Sequence, residues 1–165
     1  MLIVYAFVLI AVGMDLRSMK ISNRLILVGI VLSLIRRLFC EGIGGIFTGI
    51  FLISFPVIFL YLLFLAGALG AGDIKLFSLI GGFVNLKELM WCIVFAFIFA
   101  GVFSVVKMLY YRTFFLSIKN GLWYFYGLFK GDRGSYLSKL GEKGQIRFSI
   151  AILLGLVTTD IRFVL

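Results

Sequence analysis

The chain contains no histidine and only two cysteines, Cys40 and Cys92, which stand far apart in sequence. A Cys/His zinc site is therefore impossible, and no paired-cysteine motif exists. Proline occurs once against 19 glycines, a balance that suits tightly packed membrane helices. Acidic residues are scarce, seven against 16 Lys and Arg. The bases are scattered between apolar spans instead of gathering on one soluble face, so nucleic acid is not expected as a partner. No stretch shows the alternation that a transmembrane barrel strand requires. What the chain has in excess is hydrophobicity, 63% of its 165 residues, with a mean hydropathy of +1.19. An ordinary soluble domain is about 45–50% apolar, and one this small could not hide the surplus. The apolar residues come in long runs, so the natural solvent is lipid. The expected fold class is all-α, a polytopic membrane protein.

Six spans can be drawn, forming a single membrane domain over residues 1–165 with no soluble domain, linker or clear repeat. Helix 1 covers Met1 to about Met14, with the option of continuing through the charged turn that follows. Helix 2 runs from about Arg24 to Ile35, where Arg36-Arg37 ends it. Helix 3 runs from about Gly42 to Ala66, helix 4 from Asp73 to about Leu86, and helix 5 from about Glu88 to Val106. Helix 6 covers Phe148 to the C-terminus. No basic residue precedes the first apolar run and no A-x-A-like site follows it, so it reads as a retained span and not a signal peptide.

Six spans put both termini on one side. If that side is outside, the inner segments hold twelve basic residues: Arg17, Lys20, Arg24, Lys75, Lys107, Arg112, Lys119, Lys130, Arg133, Lys139, Lys143 and Arg147. Only Arg36, Arg37, Lys87 and Arg162 fall outside. The positive-inside rule favours this orientation. The segment at about 107–147 is then cytoplasmic and partly interfacial. Between Tyr111 and Gln145 it mixes Lys119, Lys130 and Lys139 with Phe114, Phe115, Trp123, Tyr124, Phe125 and Tyr126. Bases beside aromatics suit a helix in the headgroup region, a lipid anchor in preference to a substrate platform.

Of the seven acids, Glu41 and Glu88 fall in outer turns, and Asp132 and Glu142 in the cytoplasmic segment, where solvated loop charges need no further account. Asp15 and Asp73 differ. Fourteen residues precede Asp15 and thirteen separate Asp73 from Lys87. At the rise of an α-helix, each lies roughly 20 Å from the outer face, within a hydrocarbon core about 30 Å thick. A carboxylate at such depth faces a partner, the bundle interior or a water-filled cavity. Two close carboxylates share one proton, the state in which one activates water and the other donates to a scissile carbonyl. Taken singly, Asp73 also reads as a helix N-cap after glycine, and Asp15 as a juxtamembrane charge paired with Arg17 or Lys20. A transporter or scaffold that uses intramembrane Asp as a proton relay is a further reading.

Two motifs hold these acids. Gly70-Ala71-Gly72-Asp73 spells G-x-G-D and runs on into Ile74-Lys75-Leu76. Its glycines let the backbone turn sharply and approach a partner closely, and exposed amides there suit an extended substrate strand. A Cβ at Gly72 is expected to crowd a backbone lying beside Asp73. The other motif is Asp15-Leu16-Arg17-Ser18-Met19-Lys20-Ile21-Ser22-Asn23. In order and spacing the two stretches resemble the paired signatures of the type IV prepilin peptidase family, Asp-Leu-Arg…Ile-Pro-Asn and Gly-x-Gly-Asp-[Ile/Val]-Lys. Ile146-Arg147-Phe148-Ser149 through Gly155 resembles that family's last-helix motif, Ile-Pro-Phe-Gly-Pro. Ser22, Arg147 and Ile150 stand where the family has proline.

The resemblance implies a GxGD-type aspartyl endopeptidase of the cytoplasmic membrane that trims leaders from prepilins or pilin-like proteins. It places the catalytic pair on Asp15 and Asp73, and makes Gly70, Gly72 and Lys75 candidates for binding substrate. Membrane lipid and pilin-like precursors are the implied partners, with no metal and no cofactor. Long members carry an N-terminal region with paired cysteines and methyltransferase activity. Nothing here matches it, so N-methylation is not expected. Presenilin-like proteases share the GxGD chemistry, but their C-terminal Pro-Ala-Leu pattern is missing.

Overall fold

The computed structural model describes residues 2–18, 21–66, 68–110 and 148–164, and every regular element among them is an α-helix. In α1 (Leu2–Ser18), Val4, Val8, Ala11 and Val12 form a buried stripe at helical spacing. Leu2, Ile3, Leu9 and Ile10 point away from it. The helix does continue through the charged turn, carrying Asp15 and Arg17 in its last turns.

α2 (Asn23–Leu65) joins what the sequence divides into two spans. Arg36-Arg37, which reads in sequence as a helix end, lies inside the helix. Arg37 turns inward and is only 4% exposed. Its Nε donates to the carbonyl of Gly82 at 2.8 Å and its Nη2 to that of Val84 at 2.7 Å. Arg36 donates to the carbonyl of Phe83 at 3.1 Å. The Arg37 guanidinium is thus satisfied within the protein and needs no solvated turn, while Arg36 stays exposed with one bond to the protein. The break comes at Gly42, whose φ of 69° and ψ of −158° belong to a region that only glycine enters at low cost. It divides α2 into arms 23–41 and 43–65. The arms fold back on each other, since a Cβ at Gly49 would sit 2.9 Å from both the Leu34 and Arg37 side chains. Positions so separated in an unbroken helix would stand about 22 Å apart.

α3 (Ala71–Phe83) is short, yet Leu76 through Phe83 are all buried. A helix that is apolar all round and shielded all round is the centre of the packing. Gly82 lies against the Ser33 side chain of the first arm and near Ile53 of the second, so α3 touches both. There is no room for a Cβ at that position. Sequence places the end of this helix near Leu86. The structure ends it three residues earlier, because Val84 is extended and Asn85 begins the next helix, its N–H held by Glu88 at 3.1 Å. α4 (Leu86–Tyr110) and α5 (Phe148–Val164) follow.

α2 and the stretch Leu86–Lys107 are long and apolar enough to cross a membrane. Leu27, Val28, Val31, Leu32, Phe47, Ile58 and Leu62 are among the large side chains α2 leaves exposed. Water-soluble monomers rarely expose apolar patches of this extent, and the chain is a membrane protein. Met1–Phe99 with Arg147–Leu165 form one compact unit and Ala100–Ile146 a second, whose described part is the end of α4. The headgroup helix expected between Tyr111 and Gln145, with Asp132 and Glu142, lies outside the described residues.

Candidate active site

Asp73 stands in the first turn of α3, and not at its N-cap, which is Gly70 with φ −79° and ψ 149°. From there its Oδ2 reaches back to accept the Gly70 N–H at 3.2 Å, while its own N–H donates to the Gly70 carbonyl at 3.1 Å. This is the return half of a capping box, and glycine supplies no side chain for the other half. The Gly70 position is accordingly tight, because a Cβ there would lie 3.0 Å from the Asp73 Oδ2. Within the protein itself Gly72 has more room. A Cβ there would meet only the Ile21 side chain, at an ordinary 3.5 Å.

Asp15 lies near the end of α1, half-buried. It makes no ion pair with Arg17, and Lys20 is outside the described residues. Its Oδ2 instead accepts the hydroxyl of Ser149, at the start of α5, at 2.5 Å.

Three contacts bring the two sequence motifs together. Ile21 packs over Gly72. Lys75 Nζ donates to Asn23 Oδ1 at 2.9 Å. Through α5, Ser149 holds Asp15 while its neighbour Phe148 packs on Phe77 of α3, the helix that carries Asp73. Lys75, a substrate-binding candidate in sequence, is thus tied to the far end of the first motif. With Asn23 it forms the polar rim of a cleft of about 390 Å³, walled by Ile26, Leu27, Ile30 and Val31.

One oxygen of each carboxyl is tethered, Asp15 to a hydroxyl and Asp73 to a backbone amide. The other oxygen of each carries no hydrogen bond among the described residues. A pair of carboxyls with one unengaged oxygen apiece can handle a water molecule and a polarised carbonyl between them. A third acid within the helices, Asp160, is occupied elsewhere, accepting the Tyr5 hydroxyl at 2.9 Å.

Sequence reasoning did not single out Asn23 or Ser149. Both lie inside the motif stretches; Ser149 carries a small polar side chain that must find a partner when buried among apolar helices, whereas Asn23 is exposed at the start of α2. That was the available signal.

No curated protein and no solved structure matches the chain. Residues 2–105, more than half of its length and the part that holds both acids, match the profile of the type IV leader peptidase family. On that match, and with both motifs folded against each other, the chain belongs to the type IV leader peptidase family.

Proposed function

We propose that the chain is an intramembrane aspartyl endopeptidase that removes the leader of prepilins or pilin-like proteins at the cytoplasmic face, with Asp15 and Asp73 as its catalytic pair. The observation that carries this reading is the packing of the two acid-bearing motifs against each other, Ile21 over Gly72 and Lys75 on Asn23. The ionised member takes a proton from water as its oxygen attacks the scissile carbonyl carbon. The protonated member gives its proton to the carbonyl oxygen. When the C–N bond breaks, the leaving nitrogen takes the proton that the first acid acquired, and a hydroxyl of the tetrahedral diol returns its proton to the second acid as the new carboxyl forms. The Gly72 amide, in the first turn of α3, lies beside Asp73 and suits an extended junction segment, whereas the Gly70 amide is held by Asp73 itself; Lys75 marks the rim of a neighbouring apolar cleft. Co-expression with pilin-like precursors tests the reading directly. A leader-sized mobility shift on a gel supports it, and unchanged precursors from a well-expressed protein count against it.

The proposed topology is six spans with both termini outside, α2 contributing two of them through its break at Gly42. In a Cys40→Ser, Cys92→Ala background, Ser18→Cys is expected to react with a membrane-impermeant thiol reagent only from the cytoplasmic side. Ser78→Cys is expected to react poorly from either side, because Ser78 is buried. Labelling of Ser18→Cys from outside intact cells would invert the topology.

Cleavage is expected to survive EDTA. The chain has no histidine and no paired cysteines, and both acids are assigned to proton transfer. Activity lost to chelator and restored by zinc would point to a carboxylate-bound metal and another mechanism.

A further inference from the structure

Hydroxyls inside apolar helices ordinarily turn back onto their own backbone. Ser33, Ser78, Thr158 and Thr159 do so, donating to carbonyls three or four residues earlier. Ser149 does not. It is fully buried, it sits in the first turn of α5, and its hydroxyl crosses to the Oδ2 of Asp15 on α1 at 2.5 Å. The first turn of a helix has no intrahelical carbonyl behind it, which frees the hydroxyl for a distant acceptor.

The neighbours of Ser149 fix its place. Phe148 lies edge-on to Phe77 of α3, with ring centroids 6.3 Å apart, and to Phe97 of α4 at 5.4 Å. Ala151 and Ile152, the next residues inward, are fully buried. The start of α5 is therefore anchored to two other helices, and the hydroxyl is presented from a rigid base. Asp15, by contrast, lies close to the end of α1, after the last buried residue of that helix, Val12. Without the hydroxyl, nothing else among the described residues bonds its carboxyl.

We infer that Ser149 is the positioning residue of Asp15, fixing the carboxyl so that its unengaged oxygen faces the reacting groups. This rests on the proposed aspartyl mechanism. Ser149 exchanges no proton with substrate. It sets the rotation of the carboxyl about its Cβ–Cγ bond and occupies one of its two oxygens. Misplacing a catalytic group by about 1 Å costs on the order of 10²-fold in rate, so the consequence appears in kcat. Substrate binding, which the inference assigns to other residues, is unaffected.

The test uses the full chain in lipid or mild detergent and one reporter precursor, a basic leader joined to an apolar helix. Ser149→Ala is expected to lower kcat about 10- to 100-fold with KM within twofold of the parent. Ser149→Thr and Ser149→Val share one shape and differ in the hydroxyl. Threonine is expected to restore most of kcat, and valine to behave like alanine. Equal kcat for the threonine and valine variants, or a loss confined to KM, overturns the inference. The proposed mechanism is read separately, from the parent and from Asp73→Asn. If Asp73→Asn cleaves like the parent, the aspartyl mechanism fails and the inference falls with it. If Asp73→Asn is inactive and Ser149→Ala keeps the parental kcat, the mechanism stands and the inference alone is wrong.

Discussion

Asp15→Asn and Asp73→Asn are each expected to abolish leader cleavage, by at least about 10³-fold, without loss of protein from the membrane. An amide neither ionises nor passes on a proton, and general acid and base contributions are on the order of 10²–10⁴-fold each. The two acids act as one unit, so the double variant should be no worse than either single one. The substitutions are structurally mild. The amide oxygen of Asn can still accept the Ser149 hydroxyl at position 15 and the Gly70 N–H at position 73, the two bonds the carboxyls now make. Asp160→Asn is the sharpest control. It too lies within a helix, but its partner is Tyr5 and it has no place in the site, so cleavage should remain near that of the parent. Asp132→Asn and Glu142→Gln should be nearly silent as well. Wild-type processing by Asp73→Asn would remove the pair from the mechanism. Cleavage retained by Asp73→Glu alongside loss in Asp73→Asn would fit a proton relay better than a dyad, whose spacing a longer side chain disturbs.

The sequence was most informative where polarity is rare. Two acids in long apolar runs, at matched distances from the outer face, pointed to each other, and the chain does pack the motifs that hold them together. Helix identity was legible for the same reason, since lipid-facing segments must satisfy their backbones internally. The ends of the helices were harder. Arg36-Arg37 reads as a boundary because a charge normally marks water, and nothing in the local sequence shows that Arg37 faces the carbonyls of Gly82 and Val84. Its partners lie more than forty residues away. Gly42 was one glycine among several in Gly42-Ile43-Gly44-Gly45, and only its positive φ distinguishes it. The site was legible in its acids and not in its supports. Asn23 and Ser149 are unremarkable as single residues, and their roles exist only once Lys75 and Asp15 are placed beside them.

Arg37→Leu is expected to be among the most destabilising single substitutions in the chain, and to impair cleavage from the far end of the helix that carries Asp73. The last carbonyls of a helix have no partner of their own. In α3 those of Gly82 and Val84 are met by Arg37, and that of Phe83 by Arg36. The cation also complements the negative end of the helix dipole. The ion pair with Glu41 at 3.2 Å adds little, because the Glu41 side chain is 48% exposed and such pairs contribute at most about 1 kcal/mol. The carbonyls matter more. Hydrogen bonds from a charged donor are worth about 1.5–3 kcal/mol each, so losing both should cost about 3–6 kcal/mol, with two buried acceptors left unmet. Helix association in lipid lacks a hydrophobic drive of its own, which leaves polar ties of this kind a larger share of the whole. Glu41→Gln should therefore be mild, and Arg37→Lys intermediate at best, since one ammonium cannot reproduce the guanidinium fork. Thermal unfolding in detergent ranks the three variants. A ranking in which Glu41→Gln equals Arg37→Leu would show that the ion pair, and not the cap on α3, holds the helix in place.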